Sequence, residues 1–231
     1  MVVFGGSRGI GAAVARLAAV RGWRVLLTYN SGSAQADAVV AGIGGAANAI
    51  KCDVANEAEI TAAMRHATTI GPVRAMVYSS GITGDASPLA EATSETLRQV
   101  VEVNLIGAMI AAREAVRAMT QGGSITFISS RAADRGSAGE YVWYAATKGA
   151  LNSLAIGLSR EVAAQGIRVN CVSPGPVATD MMSAERQAKG AAAIPMQRVA
   201  EPEEIAETVL FMASEAASFV TGANLIAAGG A

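Results

Sequence analysis

Three side chains in the second half of the chain have the chemistry to move a proton together. They are the hydroxyl of Ser130, the phenol of Tyr144 and the amine of Lys148. Tyr144 and Lys148 stand four residues apart, so on a helix they share one face and the ammonium can lie close to the phenol oxygen. A cation there favours phenolate over phenol. Because an unperturbed tyrosine has a pKa of about 10, this pairing predicts an acid–base tyrosine that works near neutral pH.

A glycine-rich segment near the start of the chain indicates what this proton accompanies. It lies between a short apolar run and a helical pattern, where glycines allow a tight turn and leave backbone N–H groups free to face a pyrophosphate. The segment therefore predicts a nucleotide cofactor, and with it hydride transfer. The residues expected to hold the cofactor here are Gly5, Ser7, Arg8, Gly9, Ile10 and Gly11.

The elements that must position these residues alternate along the chain as strands and helices. This alternation is typical of βαβ units in a parallel sheet, with right-handed crossovers that place helices on both faces. We predict an α/β fold, a Rossmann-type doubly wound parallel sheet, in a single domain over residues 1–231. The predicted strands are Val2–Phe4, Arg24–Tyr29, Ala46–Cys52, Ala75–Ser79, Ile125–Ser129, Ile167–Val172 and Asn224–Ala227. The predicted helices are Ile10–Val20, Ala34–Ala41, Glu57–Ala67, Thr93–Met119, Tyr141–Ala164 and Pro202–Ala213.

Composition excludes several classes of protein. The net charge is −1, from 18 basic and 19 acidic residues, and no basic tract resembles a nucleic-acid footprint, so no nucleic-acid partner is expected. The apolar runs are well short of the ~20 residues that span a bilayer, and no signal peptide precedes the first strand. No membrane partner is therefore expected.

The cysteines and the histidine narrow the chemistry further. Cys52 and Cys171 lie in strand-like segments, which predicts buried free thiols and fits a reducing, cytoplasmic location. His66 is the only histidine and is expected on the surface of a helix. Hydrolysis by a Ser-His-Asp triad and a histidine-rich metal site are thereby excluded, and we expect no metal.

The end of the second predicted strand bears on the choice of cofactor. NAD-binding folds carry a carboxylate there for the adenosine ribose, whereas this chain has Asn30 and Ser31. Without that carboxylate, Arg8 can hold a 2′-phosphate together with Asn30 and Ser31. The pattern predicts NADP(H) rather than NAD(H). Asp53, with Val54 beside it, has two interpretations: an acceptor for the adenine amino group, or a turn or N-cap aspartate.

Two segments interrupt the alternation at predicted carboxyl ends of strands, where open α/β sheets bind ligands. The first is Gly81–Leu89 and the second is Pro174–Pro195. Within the second, Met181–Ala193 is predicted to form a short helix. It is either a lid over the substrate or a surface helix that packs on a neighbouring subunit.

Taken in order, these motifs resemble the short-chain dehydrogenase/reductase family over essentially the whole chain, and are similar to 3-oxoacyl-ACP reductase-like and glucose 1-dehydrogenase-like members. The stretches that carry the resemblance are Gly5-x-x-x-Gly9-Ile10-Gly11, Asp53-Val54, Asn104-Leu105, Ile128-Ser129-Ser130, Tyr144-Ala145-Ala146-Thr147-Lys148, Ile167-Arg168-Val169-Asn170, Pro174-Gly175-x-x-x-Thr179 and Thr221-Gly222 before Gly229-Gly230.

The resemblance implies an oxidoreductase that interconverts a small carbonyl compound and an alcohol by hydride transfer at the nicotinamide. Tyr144 would exchange the proton with the substrate oxygen, Ser130 would hold that oxygen, and Lys148 would lower the tyrosine pKa and bind the nicotinamide ribose. Asn104 would shape a long helix and support a water that links Lys148 to solvent. Further implied cofactor contacts are Gly81, Pro174, Gly175, Val177 and Thr179. A homotetramer built on Thr93–Met119 and Tyr141–Ala164 is also implied.

Three departures from the family pattern carry expectations of their own. Phe4 replaces the usual threonine, which we expect to loosen the first strand. Tyr78-Ser79-Ser80-Gly81 replaces Asn-Asn-Ala-Gly, so amides that brace the sheet are absent. The longer spacing between Ser130 and Tyr144 leaves Ser129 as an alternative for the serine role. The first two departures support an alternative function, a non-catalytic nucleotide-binding sensor or scaffold on the same fold, against which the intact catalytic trio argues.

Overall fold

One seven-stranded parallel sheet forms the centre of the molecule. The computed structural model describes residues 1–179 and 184–231, and within them the strand order is β3-β2-β1-β4-β5-β6-β7. The strands are β1 Val2–Phe4, β2 Val25–Tyr29, β3 Ala47–Lys51, β4 Ala75–Tyr78, β5 Gly123–Ile128, β6 Ile167–Pro174 and β7 Asn224–Ala227. The helices are α1 Gly9–Val20, α2 Ser33–Ile43, α3 Glu57–Ile70, α4 Ser94–Val101, α5 Gly107–Ala118, α6 Ala132–Arg135, α7 Val142–Val162, α8 Ala184–Ala193 and α9 Pro202–Ala213.

The strand order confirms the predicted doubly wound sheet. After β3 the chain returns to the other side of β1, so β1 pairs in parallel with both β2 and β4. Two apolar cores cover the two faces of the sheet. Helices α3, α5 and α7 pack on one face and α1, α2 and α9 on the other, which is why the central strands read as continuous apolar runs.

Phe4, which the sequence predicts to loosen the first strand, is accommodated in the core, and its effect on the stability of that strand stays a prediction. Phe4 is fully buried, and its ring centroid lies 5.9 Å from that of Tyr78 on the neighbouring strand. A tilted aromatic pair at this distance is favourable beyond the area that it buries. Two of the departures from the family pattern therefore pack against each other in the core.

The long helix expected over Thr93–Met119 is interrupted. Helix α4 is capped by the Thr93 side chain, which accepts a hydrogen bond from the Thr96 N–H. A π-helical turn over Glu102–Ile106 follows, and α5 then continues in the same direction. Such turns are rare and are often found at functional sites. Asn104 occupies the middle of this one.

The structure also describes the two cysteines, the histidine and part of the segment after β6. Cys52 and Cys171 are buried free thiols, as predicted, and His66 is exposed. Helix α8 lies in the segment predicted to be helical, while Met181, Met182 and Ser183 fall outside the described residues, so the choice between a lid and a subunit contact stays a prediction. Across residues 1–179 and 184–231, no helix combines the length and hydropathy that a membrane span requires.

Candidate active site

Three predicted catalytic residues meet beside the carboxyl end of β5. Ser130 follows that strand, and Tyr144 and Lys148 occupy the first two turns of α7. The hydroxyl groups of Ser130 and Tyr144 share a hydrogen bond, and the Lys148 ammonium lies 5.5 Å from the centre of the Tyr144 ring. The structure thus brings together a hydroxyl, a phenol and a cation that are up to 18 positions apart in the sequence.

Ser129 has a different role from Ser130. Its side chain is buried, and its hydroxyl donates a hydrogen bond of 3.0 Å to the backbone carbonyl of Lys148. Ser129 therefore ties α7 to the end of β5, and it is Ser130 that contacts the tyrosine. The geometry favours Ser130 for the serine role that the sequence left open between the two.

Lys148 is an almost fully buried cation, with 4% of its surface exposed. Its ammonium donates a hydrogen bond of 2.7 Å to the Ile128 carbonyl. Burial lowers the pKa of Lys148 to about 8, an effect that the neighbouring Cys171 opposes. Gly81 adjoins the ammonium, since a Cβ at this position would lie 3.4 Å from it, at ordinary contact distance.

The predicted net lowering of the Tyr144 pKa is wrong in this structure, because a larger effect opposes that of the neighbouring Lys148 cation. Burial raises the pKa of Tyr144, and the hydrogen bond with Ser130 acts in the opposite direction. The physical reason is that desolvation disfavours phenolate, while the ammonium points its hydrogen bond at a backbone carbonyl. At neutral pH Tyr144 is therefore a protonated phenol, poised to give a proton.

Asn104 joins the loop after β4 to helix α7. Its side-chain oxygen accepts from the Ile82 N–H and its amide nitrogen donates to the Ile82 carbonyl, both at 2.9 Å. The same nitrogen lies 3.2 Å from the Thr147 hydroxyl, which itself donates to the Tyr144 carbonyl at 2.7 Å. The buried amide of Asn104 thus holds the loop after β4 against α7 on the same side of the site as Lys148.

The glycine turn after β1 is shaped to hold a phosphate. Gly5 and Gly9 adopt positive φ angles of 75° and 50°, and a Cβ at Gly11 would lie 2.1 Å from the Gly5 carbonyl oxygen. The side chain of the N-cap residue Arg8 makes no capping hydrogen bond, and the first turn of α1 holds no acidic residue, so its N–H groups suit an anion. A Cβ at Gly9 would lie 3.1 Å from the Thr179 methyl group. The segment after β6 therefore reaches this turn, as the predicted contacts require.

This geometry has close counterparts among known proteins. A family model described as enoyl-(acyl carrier protein) reductase matches residues 5–231. An uncharacterized oxidoreductase of Escherichia coli, YgfF, is 39% identical over 99% of this chain and 98% of its own length. The chain belongs to the short-chain dehydrogenase/reductase (SDR) family. It is therefore an NAD(P)-dependent oxidoreductase with a small-molecule substrate.

Two further similarities bear on this SDR. The 3-oxoacyl-[acyl-carrier-protein] reductase of Rattus norvegicus is 36% identical over 99% of this chain and 95% of its own. A solved structure, a blue fluorescent protein from a metagenomic library in complex with NADPH, is 36% identical, covers 99% of this chain and 96% of its own, and has a TM-score of 0.94.

The residues predicted for the 2′-phosphate of the SDR cofactor lie near the glycine turn. Arg8, Asn30 and Ser31 are all exposed. The Ser7 hydroxyl oxygen lies 3.4 Å from where a Cβ at Gly32 would stand, so the turn after β2 adjoins the turn after β1. Among the described residues, no acidic side chain pairs with Arg8.

Asp53 serves as a turn residue. One carboxylate oxygen accepts a hydrogen bond of 2.9 Å from the Ala55 N–H, and the Asp53 N–H donates to Glu59 at 2.8 Å. Asn56, not Asp53, caps helix α3. The turn interpretation accounts for one of the two carboxylate oxygens of Asp53. The contact of Asp53 and Val54 with adenine stays a prediction.

Two further residues support the site through contacts that the sequence did not indicate. Trp143 is buried, and its indole N–H donates at 2.7 Å to the carbonyl of Thr83 in the loop after β4. The Thr28 hydroxyl accepts from the Gly5 N–H at 3.2 Å and steadies the glycine turn. The one available signal for Trp143 was its position directly before Tyr144, whereas Thr28 had none.

Proposed function

We propose that this SDR reduces a small carbonyl compound to an alcohol with NADPH, and that Tyr144 supplies the proton. The observation that carries the proposal is the arrangement of a protonated phenol that shares a hydrogen bond with Ser130 beside the buried ammonium of Lys148. It combines a proton donor with two groups that stabilise negative charge on oxygen. We assign Ser130, Tyr144, Lys148 and Asn104 to catalysis.

Each residue has a defined task in this proposal. Ser130 and Tyr144 hold the carbonyl oxygen, and bound NADPH supplies the hydride. As negative charge grows on that oxygen, Tyr144 gives its proton to it and becomes phenolate. Lys148, with a pKa of about 8, is mostly charged at pH 7 and stabilises the phenolate until the proton is replaced. At pH 7 Tyr144 is in the protonated form that carbonyl reduction requires of a proton donor.

The substrate is proposed to be a 3-oxoacyl, sugar, polyol or similar small carbonyl compound. The family model and the rat relative are both named for acyl-carrier-protein substrates, which places 3-oxoacyl thioesters first. The test is the loss of NADPH absorbance with a panel of acetoacetyl thioesters, ketoses and simple ketones. If NADPH binds but no compound in the panel is reduced, the non-catalytic sensor replaces this proposal.

No observation now favours the sensor. The two departures that supported it, Phe4 and Tyr78, are accommodated by packing in the core. A homotetramer through α4, α5 and α7 stays a prediction, supported by the exposed apolar side chains of Val101, Met109 and Ile156 on these helices. A cytoplasmic location also stays a prediction.

The preference for NADPH is expected to depend on Arg8. The exposed guanidinium lies at the start of α1, beside a turn without acidic residues, and a charge-assisted hydrogen bond to a phosphate has no counterpart with NADH. Arg8→Ala should raise KM for NADPH about tenfold and leave KM for NADH unchanged. The control is Arg16→Ala, an exposed arginine on the same helix. An equal rise for both cofactors would contradict the assignment.

Ser130 and Ser129 offer a matched pair of variants. Ser130→Ala should lower kcat about 30-fold, because a hydrogen bond to charge developing in the transition state is lost. Ser129→Ala should change kcat less than about threefold and lower the melting temperature, since its hydroxyl supports the backbone of α7. Steady-state kinetics and thermal unfolding of both variants measure this. The reverse order of kcat values would assign the catalytic role to Ser129.

A further inference from the structure

Tyr78 makes an unusual contact at the end of β4. Its side chain is fully buried, and its hydroxyl donates a hydrogen bond of 2.5 Å to the Val103 carbonyl. Val103 lies inside the π-helical turn Glu102–Ile106. A tyrosine hydroxyl buried this deeply needs a partner, because an unpaired one costs free energy of folding. The partner here is a helix carbonyl, which normally has a donor of its own.

The π-helical turn explains why that carbonyl accepts the bond. The Gly107 N–H donates to the Glu102 carbonyl, five residues back. In an α-helix it would donate to the Val103 carbonyl, four residues back. The shift in register deprives Val103 of its α-helical donor, and the Tyr78 hydroxyl takes that donor's place.

The neighbouring residues are shaped for this contact. A Cβ at Gly107 would lie 2.6 Å from the Tyr78 hydroxyl and 2.4 Å from the Val54 carbonyl oxygen. Glycine therefore leaves the space that the hydroxyl occupies. On its other side, the Tyr78 ring packs against Phe4. The hydroxyl is thus fixed between the sheet and the π-helical turn.

Asn104 is the next residue after Val103, so the position of the turn sets the position of its amide. That amide holds both backbone groups of Ile82 and contacts Thr147. We propose that Tyr78 is a positioning residue: by supplying the missing donor to Val103, its hydroxyl holds the π-helical turn at the register that places Asn104 between the β4 loop and α7. The inference rests on the proposed function, in which Asn104 belongs to the catalytic site.

The test is Tyr78→Phe, which removes the hydroxyl and keeps the ring. We expect kcat to fall about fivefold, the size of one lost hydrogen bond, with little change in KM for NADPH. In an Asn104→Ala background the same substitution should cause no further loss, because both variants would disrupt one linkage. The control is Thr126→Val, since Thr126 pairs with Val77 on β4 and its buried hydroxyl has no hydrogen-bond partner among the residues that the structure describes. Its kcat should equal that of the wild type.

A second measurement does not depend on turnover. The Ile82 N–H donates to the Asn104 side chain, so its hydrogen exchange should be faster in Tyr78→Phe than in Thr126→Val. Unchanged exchange, a wild-type kcat, or a loss that persists in full in the Asn104→Ala background would each overturn the inference. If the wild type reduces no carbonyl compound, the proposed function fails, and the exchange of Ile82 still decides whether Tyr78 positions Asn104.

Discussion

Tyr144→Phe should lower kcat for carbonyl reduction about 10³-fold while leaving NADPH affinity within about twofold of the wild type. The substitution removes only the phenol oxygen. Without it the site retains the Ser130 hydroxyl and the Lys148 ammonium. Neither of these groups occupies the position of the Tyr144 phenol, from which the proton is given. Proton delivery would then depend on solvent, to which the side chain of Tyr144 is only partly exposed.

Steady-state kinetics with a substrate from the carbonyl panel measure this loss, and fluorescence titration with NADPH measures binding. The matched control is Tyr141→Phe, the same change three residues earlier at a ring that packs edge-on against Trp143, which should change kcat less than about threefold. A Tyr144→Phe variant with more than a tenth of the wild-type kcat would show that another group gives the proton.

Much of this site could be predicted because it depends on local rules. The bounds of β1, β7 and α9 match the predicted Val2–Phe4, Asn224–Ala227 and Pro202–Ala213, since each apolar run has a glycine, proline or polar residue at one end or both. The pairing of Tyr144 with Lys148 follows from helix periodicity alone. The place of Ser130 follows from the rule that ligands bind at the carboxyl ends of parallel strands.

The features that the sequence could not predict depend on tertiary contacts. The helical pattern of residues 94–118 is continuous, and the π-helical turn within it accompanies a hydrogen bond from Tyr78 on a distant strand. The pKa of Tyr144 likewise depends on tertiary contacts. The i,i+4 spacing predicted that Lys148 lowers the pKa of Tyr144, but the direction depends on how deeply the phenol is buried and where the ammonium points its hydrogen bond.

Lys148→Met should abolish most of the activity without destabilising the protein at neutral pH. Losing the cation leaves the phenolate of Tyr144 unstabilised, and we expect kcat to fall about 10³-fold. The stability of the fold should not fall with the activity, because burial lowers the pKa of Lys148 from 10.5 to about 8. The buried charge therefore opposes folding, by an upper bound on the order of 3 kcal/mol. Loss of the donor to the Ile128 carbonyl offsets about 1–2 kcal/mol of the gain.

The sign of the pH dependence separates this account from a purely structural role for the lysine. Between about pH 8 and pH 10.5 the unfolded chain holds a proton on Lys148 that the folded chain has released, so stability rises with pH across this window. Cys171, whose thiol pKa burial raises to about 12, opposes that rise in both proteins. Because Lys148 also lowers the pKa of Cys171, the difference in free energy of unfolding between wild type and Lys148→Met, from urea titrations at pH 7 and pH 10, is measured with Cys171→Ala in both proteins. At pH 7 the variant should be at least as stable as the wild type. By pH 10 the free energy of unfolding of the wild type should have risen relative to that of the variant.

The opposite result is a variant that is less stable by more than about 2 kcal/mol at pH 7, with a difference that does not change with pH. It would mean that the buried ammonium stabilises the fold.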